Sequence, residues 1–363
     1  MCKVSAPQSE RPPEEVPHQS VFTFHHVPEL DGLRGIAILL VIMGHSLQYS
    51  LTYEESGQGL STLGVMLFFV LSGFLITSLL ESESSRSGSI DLKRFYLRRA
   101  FRLTPAFSLF LAVIALLVAA RAIVDVPWYE IGASAMYLRN IYGRSSSLGH
   151  LWSLSLEEQF YCMWPAVMRF APAARVLTIA IAATALIAAW RMYAIYAELF
   201  PYESGVFYTR PWFRLDSILI GCCLSLAIAK RSYVRGALER VALSVHPLLA
   251  WAMLISWSIF GDRVSHVIDI TVTMIGALVV VSQIVFCGSH AVSTMLRHRL
   301  LTTFGALSYS LYLWQQIFIV SGTSDWGLLK VFPFNLLIIV AISWVSYKCV
   351  EIPFLRLRNR FAT

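Results

Sequence analysis

Two ionisable residues in one apolar stretch are the first sign of chemistry. "ELDGLRGIAILLVIMGHS" (29–46) begins as a charged turn, becomes an apolar helix, and carries Arg34 near one end and His45 near the other. Eleven residues at 3.6 per turn is three turns plus about 20°, so the two side chains share one helix stripe about 16 Å apart. An imidazole can take a proton from a hydroxyl and return it near neutral pH, which makes His45 a candidate general base. A packing histidine bonded to a neighbouring helix would satisfy the same pattern. Asp31 stands close enough to pair with Arg34 across the first turn or to contact neighbouring elements.

A second group is "DLKRFYLRRAFRLTP" (91–105), in which Arg94, Arg98 and Arg102 recur at i, i+4 and i+8, with Lys93 and Arg99 beside them. Guanidiniums on one helix face suit the forked hydrogen bonds that phosphates accept, as an acyl-coenzyme A nucleotide would require. Lipid phosphates at a membrane surface would account for the same charge. The third group is "LGHLWSLSLEEQFYCMWP" (148–165), where His150, Glu157 and Glu158 stand among aromatic residues. One carboxylate could orient an imidazole or an acceptor hydroxyl while the other pairs with an arginine such as Arg191 or Arg214. Solvated carboxylates in an interfacial aromatic belt are the alternative. Asp216, two positions from Arg214, cannot face it on one helix and is expected to find a partner on another. Ser72 and Gly73 read as small residues for close helix packing.

The elements that must position these groups are membrane helices. The chain is 56% hydrophobic and 14% charged, with a mean hydropathy of +0.63, well outside the soluble globular balance. Apolar runs near 35–50, 61–80, 104–123, 153–168, 176–197, 212–229, 247–260, 267–287, 302–320 and 331–350 predict an all-α, polytopic bundle of ten transmembrane helices. The shorter patch 128–142, interrupted by Glu130 and Arg139, reads as interfacial or re-entrant. With the N-terminus inside, the predicted inner segments hold 17 Lys and Arg residues and the outer ones about six, which puts both termini in the cytoplasm. The net charge of +7 is then a matter of topology and anionic lipid, with no basic tail for nucleic acid.

Residues 1–28, rich in proline, predict a disordered cytoplasmic tail; 29–351 form the transmembrane domain and 352–363 a basic cytoplasmic tail. No cleavable signal peptide is expected. The six cysteines lack metal-type spacing and read as packing residues, so no metal is assigned.

Seven stretches taken in order, "LDGLRGIAILLVIMGHS", "VMLFFVLSGFLIT", "FYLRRAFRLTP", "LWSLSLEEQFY", "RLDSILIGCCLS", "LSYSLYLW" and "VEIPFLRL", resemble acyltransferase family 3 across nearly the whole chain. This family of membrane acyltransferases includes O-antigen acetylases, nodulation-factor acetylases and macrolide acylases. The resemblance implies transfer of an acyl group, commonly acetyl, from cytoplasmic acyl-coenzyme A to a hydroxyl of a cell-envelope carbohydrate, a glycolipid or a small molecule. It implies a multi-pass protein of the inner (plasma) membrane that uses acyl-coenzyme A as donor substrate and holds no permanent cofactor. The family's first-helix arginine and histidine fall on Arg34 and His45, its basic segment on Arg98, Arg99 and Arg102, and its acidic pair on Glu157 and Glu158. After "SLYLW" many relatives carry histidine, whereas this chain has Gln315 and Gln316, which hydrogen-bond but relay no proton. Some relatives add a C-terminal extracytoplasmic domain; this chain ends at Thr363, so the expectation is that it acts alone or with a separate extracytoplasmic partner. A transporter or proton-coupled flippase for an envelope precursor is the competing class, since intramembrane Arg, His and Glu also build translocation paths.

Overall fold

The structure is a computed structural model that describes residues 27–50, 54–201, 205–230, 233–260, 266–286, 291–320 and 326–361. Most of the expected N-terminal tail, together with Cys2 and Cys287, lies outside the described residues. The described residues are helical in every regular element. In chain order these are α1 (Pro28–Ser50), α2 (Glu54–Ser87), α3 (Leu92–Ala119), α4 (Trp128–Ala135), α5 (Arg139–Tyr142), α6 (Leu151–Phe170), α7 (Val176–Tyr196), α8 (Val206–Thr209) and α9 (Pro211–Arg214). They continue as α10 (Asp216–Ala229), α11 (Tyr233–Ser244), α12 (Pro247–Phe260), α13 (His266–Phe286), α14 (Ala291–Leu296), α15 (Arg299–Ile319), α16 (Phe334–Ser346) and α17 (Ile352–Phe361). A π-helical turn, Tyr347–Glu351, joins the last two.

All ten apolar runs fall on helices, yet six helices among the described residues are by themselves long and apolar enough to cross a bilayer. The number becomes seven if α10 and α11, bent by 109°, form one span. The difference has a physical source: α6 and α15 carry polar stripes that lower their mean hydropathy, and α10 and α12 have only 14 residues each. The patch at 128–142 breaks into α4 and α5, neither long enough to cross. The expected basic tail at 352–363 begins as helix α17.

The most buried candidate span is α2, with 78% of its apolar window covered, and it packs on α1, α6, α10, α12 and α13. Two apolar clusters meet on it: Phe69 and Ile76 belong to one, with α3, α6 and α15, while Met66 and Leu67 belong to the other, with α1 and α13. By contrast α7 buries 22% of its apolar window, which leaves Leu186 and Met192 on a surface suited to lipid.

Close backbone approach fixes the central helices. A Cβ on Gly73 would stand 1.9 Å from the Ile218 carbonyl oxygen, and one on Gly221 would stand 2.1 Å from that of Val70, so α2 and α10 touch where only glycine fits. Gly35 and Gly305 do the same for α1 and α15. The expected packing role of Gly73 is therefore met. At the start of α3, Asp91 caps the helix by accepting a 2.9 Å hydrogen bond from the Arg94 amide, which holds its carboxyl below the usual range. The basic segment is thereby set on the exposed first turns of a long helix.

Candidate active site

Polar residues at helical spacing put one stripe from each of several helices around a common interior. On α6 the stripe is Ser153, Glu157 and Tyr161, at i, i+4 and i+8; on α15 it is Ser308, Tyr312 and Gln315. Together with α1, α2 and α3 they enclose two cavities that share Val65 and Tyr312 as lining residues.

The first cavity, of about 130 Å³, is arginine-lined: Arg34, Arg99 and Arg102 face it together with Ser72, Glu157 and Tyr161. Arg34 Nη2 donates to Ser308 Oγ at 3.3 Å. Arg99 lies flat on Tyr161, its guanidinium carbon 3.4 Å from the ring centroid, and ion-pairs with Glu158 at 3.4 Å. Glu157 accepts 2.8 Å from Ser72 Oγ and 3.4 Å from Tyr161 Oη. Ser72, read from sequence as packing, thus also bonds a candidate catalytic carboxylate. Glu351, brought in by the π-helical turn, accepts from Ser310 of α15.

The basic stripe divides. Arg99 and Arg102 turn to the cavity, Arg98 is held by Glu83 of α2 at 2.9 Å, and Arg94 stays exposed on the first turns of α3. The i, i+4, i+8 pattern predicts a single face through Arg94, Arg98 and Arg102; packing of α3 against α15, α17 and the π-helical turn instead brings Arg99 and Arg102 to the cavity. A second correction concerns the acidic pair. Glu158 pairs with Arg99, and neither Arg191 nor Arg214 reaches it. Arg191 Nη1 bonds Asp216 at 2.7 Å, with both side chains fully buried, so this pair ties α7 to α10 and meets the expectation that Asp216 finds its partner on another helix.

The second cavity is larger, about 1130 Å³, and contains His45, His150, Trp152, Tyr312 and Gln316 among its walls. His45 Nδ1 stands 2.9 Å from Gln315 Oε1. An amide oxygen only accepts, so Nδ1 carries the proton and Nε2 keeps its lone pair. Gln315 therefore sets the tautomer that a base needs. Tyr312 Oη donates 2.7 Å to the His150 carbonyl and contacts Ser153 Oγ, which fixes the ring between the cavities. Arg34 and His45 thus share α1 as expected but line different cavities.

Residue type alone does not single out Tyr161, Ser308 or Tyr312. The available signal is a polar residue every three or four positions inside an otherwise apolar helix, a pattern that lipid-facing helices such as α7 lack.

Residues 27–348 match the family described as Acyltransferase domain. The O-acetyltransferase OatA of Staphylococcus aureus (strain NCTC 8325 / PS 47) is 29% identical over 365 residues, covering 92% of this chain and 58% of the relative. The putative peptidoglycan O-acetyltransferase YrhL of Bacillus subtilis (strain 168) is 29% identical over 330 residues, covering 83% of this chain and 50% of the relative. The chain thus spans a little over half the length of these curated relatives. No solved structure matches it significantly. With a family match over nearly all of its helices, the chain belongs to acyltransferase family 3, the membrane acyltransferases.

Proposed function

We propose that this protein is a multi-pass O-acyltransferase of the inner (plasma) membrane that moves an acyl group, acetyl by analogy with its relatives, from cytoplasmic acyl-coenzyme A to a hydroxyl of a cell-envelope carbohydrate. The observation that carries this reading is the pair of adjoining cavities, one lined by arginines and the other by a histidine whose tautomer Gln315 sets. Both termini lie in the cytoplasm in this reading, which places the arginine-lined cavity on the donor side.

A cavity of about 130 Å³ is too small for a nucleotide but suits a thin thioester-bearing arm. The nucleotide then lies outside, against Lys93 and Arg94 on the exposed turns of α3, with Arg98 beside them. Arg34, Arg99 and Arg102 hold the arm and offset the negative charge that develops on the thioester oxygen. His45 Nε2 takes the proton of the acceptor hydroxyl as its oxygen attacks the thioester carbon. The new C–O bond forms, the C–S bond breaks, and coenzyme A leaves as the thiolate, which recovers a proton. Glu157 keeps its bond with Ser72 and orients the wall between the two substrates.

The test is coenzyme A release from acetyl-coenzyme A by the nanodisc-embedded protein, with and without an envelope-glycan extract, beside His45→Ala. Acceptor-stimulated release that vanishes in the variant supports the reading. Movement of a labelled envelope precursor without thioester consumption would replace it with transport.

A further inference from the structure

The walls of the histidine-lined cavity differ in charge from those of the other. Arg139, Arg144 and Arg210 line its mouth, and among the described residues that line it there is no carboxylate. Glu130, an acid beside this segment, is turned into the protein: it is 1% exposed, pairs with Arg139 at 3.3 Å, and accepts from the Arg144 amide at 2.6 Å and from Ser145 Oγ at 2.6 Å. Arg139 is spent on this network, since it also donates to the Ser145 carbonyl.

That leaves two guanidiniums for a ligand. Arg210 Nη1 donates 2.5 Å to the Ile141 carbonyl, which pins the segment before α9 to α5, and the side chain lines the cavity. Arg144 is exposed, and its side chain makes no hydrogen bond or ion pair among the described residues. A third cation lies behind the wall. Arg214 is fully buried, none of its three nitrogens has a hydrogen-bond partner, and its guanidinium carbon sits 5.8 Å from the Trp152 ring and 5.9 Å from that of Tyr208. Trp152 and Tyr208 both line the mouth. Asp216, the acid nearest in sequence, is already bonded by Arg191. Asp216 and Asp269 both act on Arg214 electrostatically, so its charge is balanced inside the protein and the uncompensated charge at the mouth is that of Arg144 and Arg210.

Aromatic faces stack on the C–H face of a pyranose ring, and forked guanidiniums match carboxylate or phosphate oxygens. We propose that the histidine-lined mouth is a binding site for an anionic carbohydrate, a sugar bearing a carboxylate or phosphate, with Arg144 and Arg210 as its anion contacts. The proposal rests on the reading above that this cavity receives the acceptor, and it narrows the acceptor to a chemical class.

The experiment measures binding of three sugars with the same ring, methyl glucoside, glucuronate and glucose 6-phosphate, to the full chain in zwitterionic nanodiscs by calorimetry at low and high salt. The expected result is that at least one anionic sugar binds about fivefold tighter than the neutral one, the scale of one exposed charge-assisted contact. That preference shrinks in high salt. Arg144→Glu, at a side chain without hydrogen bonds, removes the preference for the anionic sugar; Arg210→Gln is the second variant. Preference for glucuronate alone or for the phosphate alone assigns the anion. Equal affinity for neutral and anionic sugars, no binding of any of the three, or a preference that survives both variants overturns the proposal. Coenzyme A release measured on the same wild-type sample keeps the two readings apart. Lost sugar preference with intact release defeats this inference only, and absent release with intact preference defeats the transfer reading only.

Discussion

The two cavities differ in how their charges are satisfied. In the arginine-lined cavity the groups are largely committed: Arg34 to Ser308, Arg99 to Glu158 and Tyr161, Glu157 to Ser72. Among the described residues only Arg102 faces it without a hydrogen bond or ion pair. The histidine-lined cavity has roughly nine times the volume, and Arg144 lies at its mouth with its side chain unengaged. A small, internally bonded pocket is preorganised for one invariant partner, because its groups need little rearrangement on binding. A wide mouth with unengaged donors suits a bulkier partner recognised at several points. That contrast is what an enzyme with a constant donor and a polymer-like acceptor requires.

The sharpest way to break the comparison is His45→Ala. If the imidazole is the base, acyl transfer falls by about 10²- to 10⁴-fold while acyl-coenzyme A still binds, since the arginine-lined cavity is untouched. Equal loss of donor binding would merge the cavities into one functional site.

Arg102→Ala tests the other side. Removing the cation that faces the donor cavity without a protein partner should raise the KM for acetyl-coenzyme A by about tenfold, the scale of one charge-assisted phosphate or thioester contact, with a smaller effect on kcat. Steady-state kinetics at saturating acceptor would show it, and an effect confined to the acceptor KM would reverse the assignment of the two cavities.

A smaller effect is expected at Gln315, which touches His45 and no substrate. Gln315→Leu frees Nδ1 from its acceptor, so both tautomers become populated and kcat falls severalfold. Gln315→Glu restores an acceptor and adds a negative charge that favours the imidazolium, so the acidic limb of the kcat/KM profile moves to higher pH. A rate loss without any change in the profile would make Gln315 a packing residue.

The smallest effect belongs to Asp91, which caps α3 far from either cavity's shared wall. Asp91→Ala should lower Tm slightly and leave the acceptor KM in place. Because the folded-state carboxyl titrates below its unfolded value, its contribution is present above the unfolded pKa and is lost as pH falls through the folded one. The wild type and the variant therefore converge in Tm on acidification, which thermal melts across acid pH would check.

Much of this molecule was legible in its residues. Ten apolar runs fall on helices because a chain in lipid must satisfy its backbone internally, and only length and apolarity are needed to see that. Arg34 and His45 share a face of α1 because helical periodicity is a local property. The partner of Asp216 could be anticipated on another helix because a position two residues from Arg214 excludes a contact within one. What local pattern could not supply was the choice among near-equivalent faces and partners. Arg99 rather than Arg98 meets Glu158 because Glu83 at the end of α2 takes Arg98. Gln315 meets His45 across 270 positions only because Gly35 and Gly305 let α1 and α15 approach backbone to backbone. The division of one polar stripe on α1 between two cavities likewise depends on Val65 and Tyr312 arriving from other helices. Sequence determined which side chains were costly to bury and how they were spaced along each helix, since both follow from residue chemistry and the 3.6-residue repeat. Tertiary packing alone decided which of them met, because ion pairs and hydrogen bonds depend on ångström-scale distances between helices that no single helix contains.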